Sequence, residues 1–432
     1  MLVHAEWVLP VDAAPVRDGA VLVRGDAIAD VGPLEALAEA YPDEPVERHD
    51  GCVLLPGLVN AHTHLALTVL GGIVPSAPFG EWLPMLVRAM RALTPEALEA
   101  SVALGARHCL RSGVTVVGEI AYGAASRRIA EAAGIGGVFF WEVLGIEPDG
   151  LDEALTNAGY PGDRADRPRT RPGISPHSPY TSGPGLLRAA HSRALADGVP
   201  HAIHVAESHA EAELFEQGTG ALAGTAGRFA IGLAPGSRTT PVAYLDDLDV
   251  LEGTLAIHCV QVAGADVERL AARTAGIVLC PRSNAYLHEG PAPVVALERA
   301  GARLALGTDS SASNLDLDLV DEARAVRTLS PLLTAERIVR MLTRDGAVAL
   351  GLEGSFGALG PGLQADLAVF RCATAASDPY EAFVEEGGEA TCVAVLSAGV
   401  WRVREGAVLA PPDAGRERML AEARAAARAA LA

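Results

Sequence analysis

Short apolar runs recur through the middle of the chain, and each rises to a polar residue and stops. Strand-like runs end at His64, Glu119 and Glu142, then at Ser175, His204, His258, Cys280 and Thr308. Helical stretches alternate with them. Thr94 to Ser112 is one, with Thr94 as N-cap and Pro95 at the first helical position, and Ala124 to Ala133, Gly185 to Asp197, Ala263 to Ala272 and Val294 to Ala300 are others. Eight strand–helix units in about 300 residues predict an α/β fold of the (β/α)₈ TIM-barrel kind, with a doubly wound open sheet as the alternative. A barrel would gather the C-terminal ends of all eight strands around one mouth, and the polar residues fall at those ends.

The two ends of the chain have a different pattern. Trp7-Val8-Leu9 and Ala20 to Val23 have strand character, a turn follows at Arg24-Gly25-Asp26, and Leu34 to Tyr41 looks helical. Strand patterns return at Ala365 to Phe370 and Val393 to Leu396. Neither end is large enough for its own core. The expectation is one composite β-sandwich domain from residues 1–55 and 362–411, a barrel over 56–361, and a C-terminal helix over 412–432.

Composition narrows the function. The chain has 432 residues, half of them apolar and 20% charged, which suits a compact enzyme with a large core. A net charge of −20 argues against nucleic acid and anionic membrane as partners. No signal-peptide pattern and no membrane-length apolar run is found, and the six cysteines are scattered without CxxC spacing, so a cytoplasmic protein with reduced thiols is expected. All 34 basic side chains are arginine. Without lysine there is no Schiff-base chemistry, no P-loop lysine and no metal pair bridged by a carboxylated lysine. A small-molecule substrate remains, and a homodimer stays open.

The chemistry begins at Leu55-Pro56-Gly57-Leu58-Val59-Asn60-Ala61-His62-Thr63-His64. Side chains alternate along a strand, so His62 and His64 share a face, and two imidazoles on one face can hold a divalent metal. Such a pair alone is often two ordinary half-buried histidines. It gains weight from His177, from His204 in the fifth strand, from His258 ending Leu255-Ala256-Ile257-His258, and from Asp309 ending Leu304 to Asp309. Histidines and an aspartate converging from several strand ends make a nitrogen/oxygen site suited to zinc or iron. Glu207, read alone, is equally a helix-start carboxylate favoured by the helix dipole.

These segments, together with Ser175-Pro176-His177-Ser178-Pro179-Tyr180, His204-Val205-Ala206-Glu207, Cys280-Pro281-Arg282-Ser283-Asn284 and Gly307 to Asn314, resemble the amidohydrolase superfamily in its deaminase and chlorohydrolase branch. The resemblance spans essentially the whole chain. It implies one divalent metal, Zn²⁺ or Fe²⁺, held by His62, His64, His204 and Asp309. It further implies that Glu207 shuttles the proton and that His258 orients the reacting water; Asp309, bound to metal and beside that water, can take its first proton. The expected reaction is hydrolytic deamination of an aminopurine nucleoside.

Phe79-Gly80-Glu81-Trp82-Leu83-Pro84 with Arg88 and Arg91, and Thr240 to Leu245, are similar to deaminases of 6-aminodeoxyfutalosine, a menaquinone-pathway nucleoside. Relatives acting on adenosine, methylthioadenosine or S-adenosylhomocysteine, which tend to carry a glutamate near Arg91, are the alternative, along with triazine and cyclic-amide hydrolases. A non-catalytic scaffold on the same fold is the reading from another class, and the complete ligand set speaks against it. The resemblance implies substrate contacts at His177, Trp82, Ser283 and Asn284. A substrate carboxylate would be met by Arg282, or failing that by Arg88 and Arg91, because a guanidinium matches a carboxylate with two parallel hydrogen bonds. Residues 218–240, rich in glycine and alanine, are a long connection expected to act as a lid or to be mobile.

Overall fold

A computed structural model describes residues 1–160, 169–224, 238–372, 378–384, 390–411 and 413–432. Residues 225–237, the greater part of the connection expected to form a lid, lie outside the described residues.

Eight parallel strands stand side by side in chain order: β1 (Leu58–Thr63), β2 (Val114–Ala121), β3 (Gly136–Val143), β4 (Thr170–Pro176), β5 (His201–Val205), β6 (Thr254–His258), β7 (Gly276–Leu279) and β8 (Leu304–Leu306). Their interior faces supply one buried cluster that includes Val59, Val116, Val138, Phe140, Ile257 and Ala305. The opposite faces, with Val117, Phe139, Trp141, Ile203 and Ile277, pack against the helices in a larger cluster. Strands apolar on both faces are what a closed parallel sheet under helices requires. Closure falls between β8 and β1. Asn60 donates to the Thr308 hydroxyl at 2.8 Å and accepts from the Thr308 N–H at 3.0 Å, and Thr63 and Asp309 form a parallel bridge.

The helices start where capping chemistry puts them. Thr94 Oγ1 accepts from Ala97 N–H at 3.2 Å at the head of helix Pro95–Arg111. The strand-like run expected to reach Thr308 instead leaves the sheet at Leu306. Gly307 explains the departure: a Cβ there would lie 2.8 Å from the His62 Cβ and 2.8 Å from the His62 carbonyl oxygen, so only glycine allows β8 to pass so close to β1.

The two chain ends combine into a second, mixed sheet of eight strands. Its seam is strand Val46–Pro56, parallel to Leu2–Val8 on one side and antiparallel to Leu367–Arg371 on the other. Only Gly57 separates that strand from β1, so the sheet feeds directly into the barrel. Arg169, just before β4, locks the two together through both oxygens of Asp366 at 2.7 and 2.9 Å. The C-terminal helix Ala414–Leu431 returns to the barrel, where Arg424 caps the carbonyls of Val69 and Gly71 at 2.7 and 2.9 Å. All six cysteines are unpaired. Among the described residues no helix is long and apolar enough to cross a membrane.

Candidate active site

At the C-terminal mouth of the barrel the side chains of β1, β5, β6 and β8 meet. His62 and His64 leave β1 with ring centroids 4.9 Å apart, and His204 from β5 lies 5.0 Å from His62 and 5.6 Å from His64. Asp309 Oδ1 sits 3.6 Å from His62 Nε2 and 3.5 Å from His64 Nε2. The backbone turns sharply where three of these strands end: Ala206, His258 and Asp309 have φ of 50°, 73° and 57°. Left-handed backbone at non-glycine residues costs energy and is characteristic of functional sites.

Three of the four ligand-type side chains are held from behind. His204 Nδ1 donates to the His177 carbonyl at 2.7 Å, and His64 Nδ1 meets the Tyr122 hydroxyl at 3.1 Å. The carbonyl fixes the tautomer of His204, leaving its Nε2 lone pair available to the cluster. Asp309 Oδ2 accepts from Ser283 Oγ at 2.6 Å and Ser313 Oγ at 2.8 Å, and Oδ1 accepts from Ser310 N–H at 2.6 Å. Beneath the turn that follows β1, Glu119 receives Leu65 N–H at 2.9 Å.

The donor set fits a metal ion. His62, His64 and His204 bring their ligand atoms within 4.8 Å of one another, and His62 Nε2 is buried without a hydrogen-bond partner among the described residues. Burial, then the neighbouring imidazole of His62, holds His64 down to about 3, and burial likewise lowers His204 well below its usual range. Asp309 would be raised by burial, yet the adjoining imidazoles of His62, His64 and His258 hold it well below the carboxylate range. Neutral imidazoles beside an ionised carboxylate are the protonation states that metal coordination needs.

A second trio, Glu207, His258 and Asp309, adjoins the first and is equally compact. Glu207 Oε1 is 3.6 Å from His258 Nε2. Burial, with the negative charges of Asp309, Glu211 and Glu289 adding to it, raises the Glu207 carboxyl far above its ordinary value. His258 is lowered to about 4 by burial, and its Nδ1 lies 3.2 Å from Asn284 Oδ1. A carboxyl that keeps its proton beside a neutral imidazole can donate to a basic nitrogen.

The residues expected to touch substrate divide into groups. His177 lies beside the cluster, 5.0 Å from the His204 ring, with Nδ1 bound to Thr181 Oγ1 at 2.8 Å. Trp82 is buried with Phe79, Tyr180 and Phe215, and its indole N–H has no partner among the described residues. Ser283 and Asn284 are buried: Ser283 Oγ donates to Asp309 and Asn284 Oδ1 meets His258 Nδ1, while Asn284 Nδ2 has no partner among the described residues. Arg282 is partly buried and ion-paired. Its guanidinium donates to Asp316 at 2.8 Å and lies 4.0 and 3.8 Å from Asp321 and Glu322, so its charge is already answered within the chain. Its place directly after β7 suggested an overhang, but the acidic loop after β8 draws it away. Arg88 and Arg91 are exposed on and just beyond helix Phe79–Met90. Sequence reasoning missed Tyr122, Glu142 and Glu289. Glu142 ended a strand-like run and carried that signal, whereas nothing local distinguishes Tyr122 or Glu289.

Comparison with known proteins agrees with this geometry. The description "Amidohydrolase family" matches residues 53–402, and an imidazolonepropionase-like composite domain of bacteria matches 19–43. The chain is 34% identical over 367 residues to a 5-methylthioadenosine/S-adenosylhomocysteine deaminase of Pelotomaculum thermopropionicum, covering 81% of this chain and 79% of that one. It is 35% identical over 347 residues to an aminodeoxyfutalosine deaminase of Deinococcus radiodurans, covering 77% and 81%. An adenosine deaminase of Xanthomonas campestris, solved with bound zinc, superposes with a TM-score of 0.85 at 26% identity over 99% of this chain and 98% of that one. A barrel whose mouth joins imidazoles and an aspartate in this way, with that match over most of its length, belongs to the amidohydrolase family. It is an enzyme, a hydrolase acting on C–N bonds.

Proposed function

We propose that this chain is a hydrolytic deaminase of a 6-aminopurine nucleoside, working with one divalent metal held by His62, His64, His204 and Asp309. The observation that carries the reading is the adjacency of two trios: the ligand-type set His62, His64 and His204, and the group Glu207, His258 and Asp309, in which Glu207 Oε1 lies 3.6 Å from His258 Nε2. When bound, the cation lowers the pKa of water so that a nucleophile is available near neutral pH. Zn²⁺ suits three nitrogens and one carboxylate, and Fe²⁺ is the second choice.

The chain's own residues do the rest. Glu207 donates its proton to the ring nitrogen beside carbon 6, which makes that carbon electrophilic. Asp309 accepts the proton of the attacking water, while His258, steadied by Asn284, hydrogen-bonds the incoming oxygen. Proton return to the amino group lets ammonia leave and a carbonyl remain at carbon 6.

For the particular nucleoside we favour 6-aminodeoxyfutalosine. The segment Phe79 to Arg91 and the Deinococcus relative support it, and they would place the enzyme in menaquinone biosynthesis in the cytoplasm. With Arg282 engaged, Arg88 and Arg91 are the arginines left for the substrate carboxylate. Methylthioadenosine or S-adenosylhomocysteine is the second reading, supported by the Pelotomaculum relative. Ammonia release from aminodeoxyfutalosine, methylthioadenosine, S-adenosylhomocysteine and adenosine decides. The first should give the highest kcat/KM. A higher value for a nucleoside without a carboxylate would overturn that choice, and no ammonia from any would overturn the deaminase reading.

A further inference from the structure

Glu142 has no role in the chemistry above, yet its position is conspicuous. Along β3, Val138 and Phe140 belong to the barrel interior, while Phe139, Trp141 and Val143 pack against the helices. The two-residue period therefore directs Glu142 inward, at the last interior position before the strand ends. There its carboxylate lies within 4.8 Å of ring nitrogens of both His177 and His204. Its Oε1 is sealed from solvent and has no hydrogen-bond partner among the described residues. A buried polar atom without a partner is costly, and at the mouth of an active site a ligand atom is the natural one to supply the missing bond.

A second metal is the first ligand to consider, because Glu142, His177 and His204 form a compact donor group. His204 argues against it. Its Nδ1 is committed to the His177 carbonyl at 2.7 Å, which leaves a single nitrogen, and that one faces His62 and His64. Without His204 only two donors remain. The pair Glu142 and His177 has instead the complementarity of a hydroxyl site. His177 Nδ1 is met by Thr181 Oγ1 at 2.8 Å and Ser178 Oγ at 3.1 Å, and either hydroxyl can donate to it. The far nitrogen then carries the proton and can donate, while Glu142 Oε1 accepts. One hydroxyl group satisfies both.

We propose that Glu142 is a specificity residue that binds a sugar hydroxyl of the substrate together with His177. The proposal rests on the nucleoside reading above. It requires the sugar to lie toward β3 and β4 while the purine faces Glu207 and His258 on β5 and β6.

The test compares the preferred ribonucleoside with its 2′-deoxy and 3′-deoxy analogues on wild-type protein, Glu142→Leu and Glu142→Gln, each checked for metal content and thermal melting. Wild type should disfavour one deoxy analogue by about 10–100-fold in kcat/KM, chiefly through KM. Glu142→Leu should lose a similar factor on the ribonucleoside yet stay within about threefold of wild type on that analogue. Glu142→Gln, which keeps an acceptor oxygen, should fall between. Equal losses on all three substrates, or a wild type indifferent to both deletions, would overturn the proposal. Absence of ammonia from all three with wild type would overturn the nucleoside reading itself, and this assignment with it.

Discussion

Replacing Glu207 by glutamine separates its proton chemistry from its shape. The side chain is buried, its Oε1 lies 3.6 Å from His258 Nε2, and its backbone N–H is held by Glu211 Oε2 at 2.8 Å. An amide occupies the same volume and leaves that backbone bond intact, so fold and metal content should survive. What disappears is the transferable proton. Loss of a positioned general acid costs about 10²–10⁴-fold, equivalent to roughly 3–5 kcal/mol on the barrier. Stability should move the other way. Burial raises the Glu207 carboxyl in the folded protein, so the folded state disfavours its ionised form. The penalty is absent below the unfolded-state value of about 4.5 and grows as pH rises above it. Glu207→Gln should therefore match wild type in acid and be the more stable of the two at neutral pH. Ammonia release under saturating substrate, metal analysis, and urea melts at pH 4 and pH 7.5 give the three readings. Turnover at the wild-type rate with metal retained would refute the proton-carrier role.

Three further outcomes follow from contacts around the site. Ser283→Ala removes the 2.6 Å hydrogen bond to Asp309 and should weaken metal affinity about 10-fold or more, as measured by competition with a chelator. Asn284→Leu deprives His258 Nδ1 of its partner and should lower kcat about tenfold with metal content unchanged, whereas loss of metal would make Asn284 a support of the ligand set. His201 is held down to about 3 by burial, with His191 adding to it, so the unfolded chain binds the extra proton between about pH 6.5 and 3. Stability should fall as pH drops through that window, and His201→Gln should flatten the fall; identical acid melts would refute this.

Much of the site was legible because barrel chemistry sits at strand ends, and an apolar run that stops at His62-Thr63-His64, His204, His258 or Asp309 displays both the strand and its functional terminus. The sequence pattern also located the helix cap at Thr94, since Thr-Pro fixes a helix start locally. The ion pairs of Arg282 were not legible, because chain position places a residue near the mouth without saying which acids compete for it. Asp316, Asp321 and Glu322 come from the far side of β8 and bind it first. The contacts of Ser283 and Asn284 were hidden for the same reason: their partners Asp309 and His258 are distant in sequence and adjacent only after folding. Glu142 ended a predicted strand, but its missing hydrogen-bond partner is a property of the packed interior.

The central claim is hydrolysis at carbon 6 of an aminopurine nucleoside, and oxygen-18 water tests it most directly. Metal-loaded protein turning over its preferred nucleoside in labelled water should release ammonia in equal amount to product and place one labelled oxygen on the purine. Ammonia without label in the purine, or release of the free base in place of ammonia, would contradict the account.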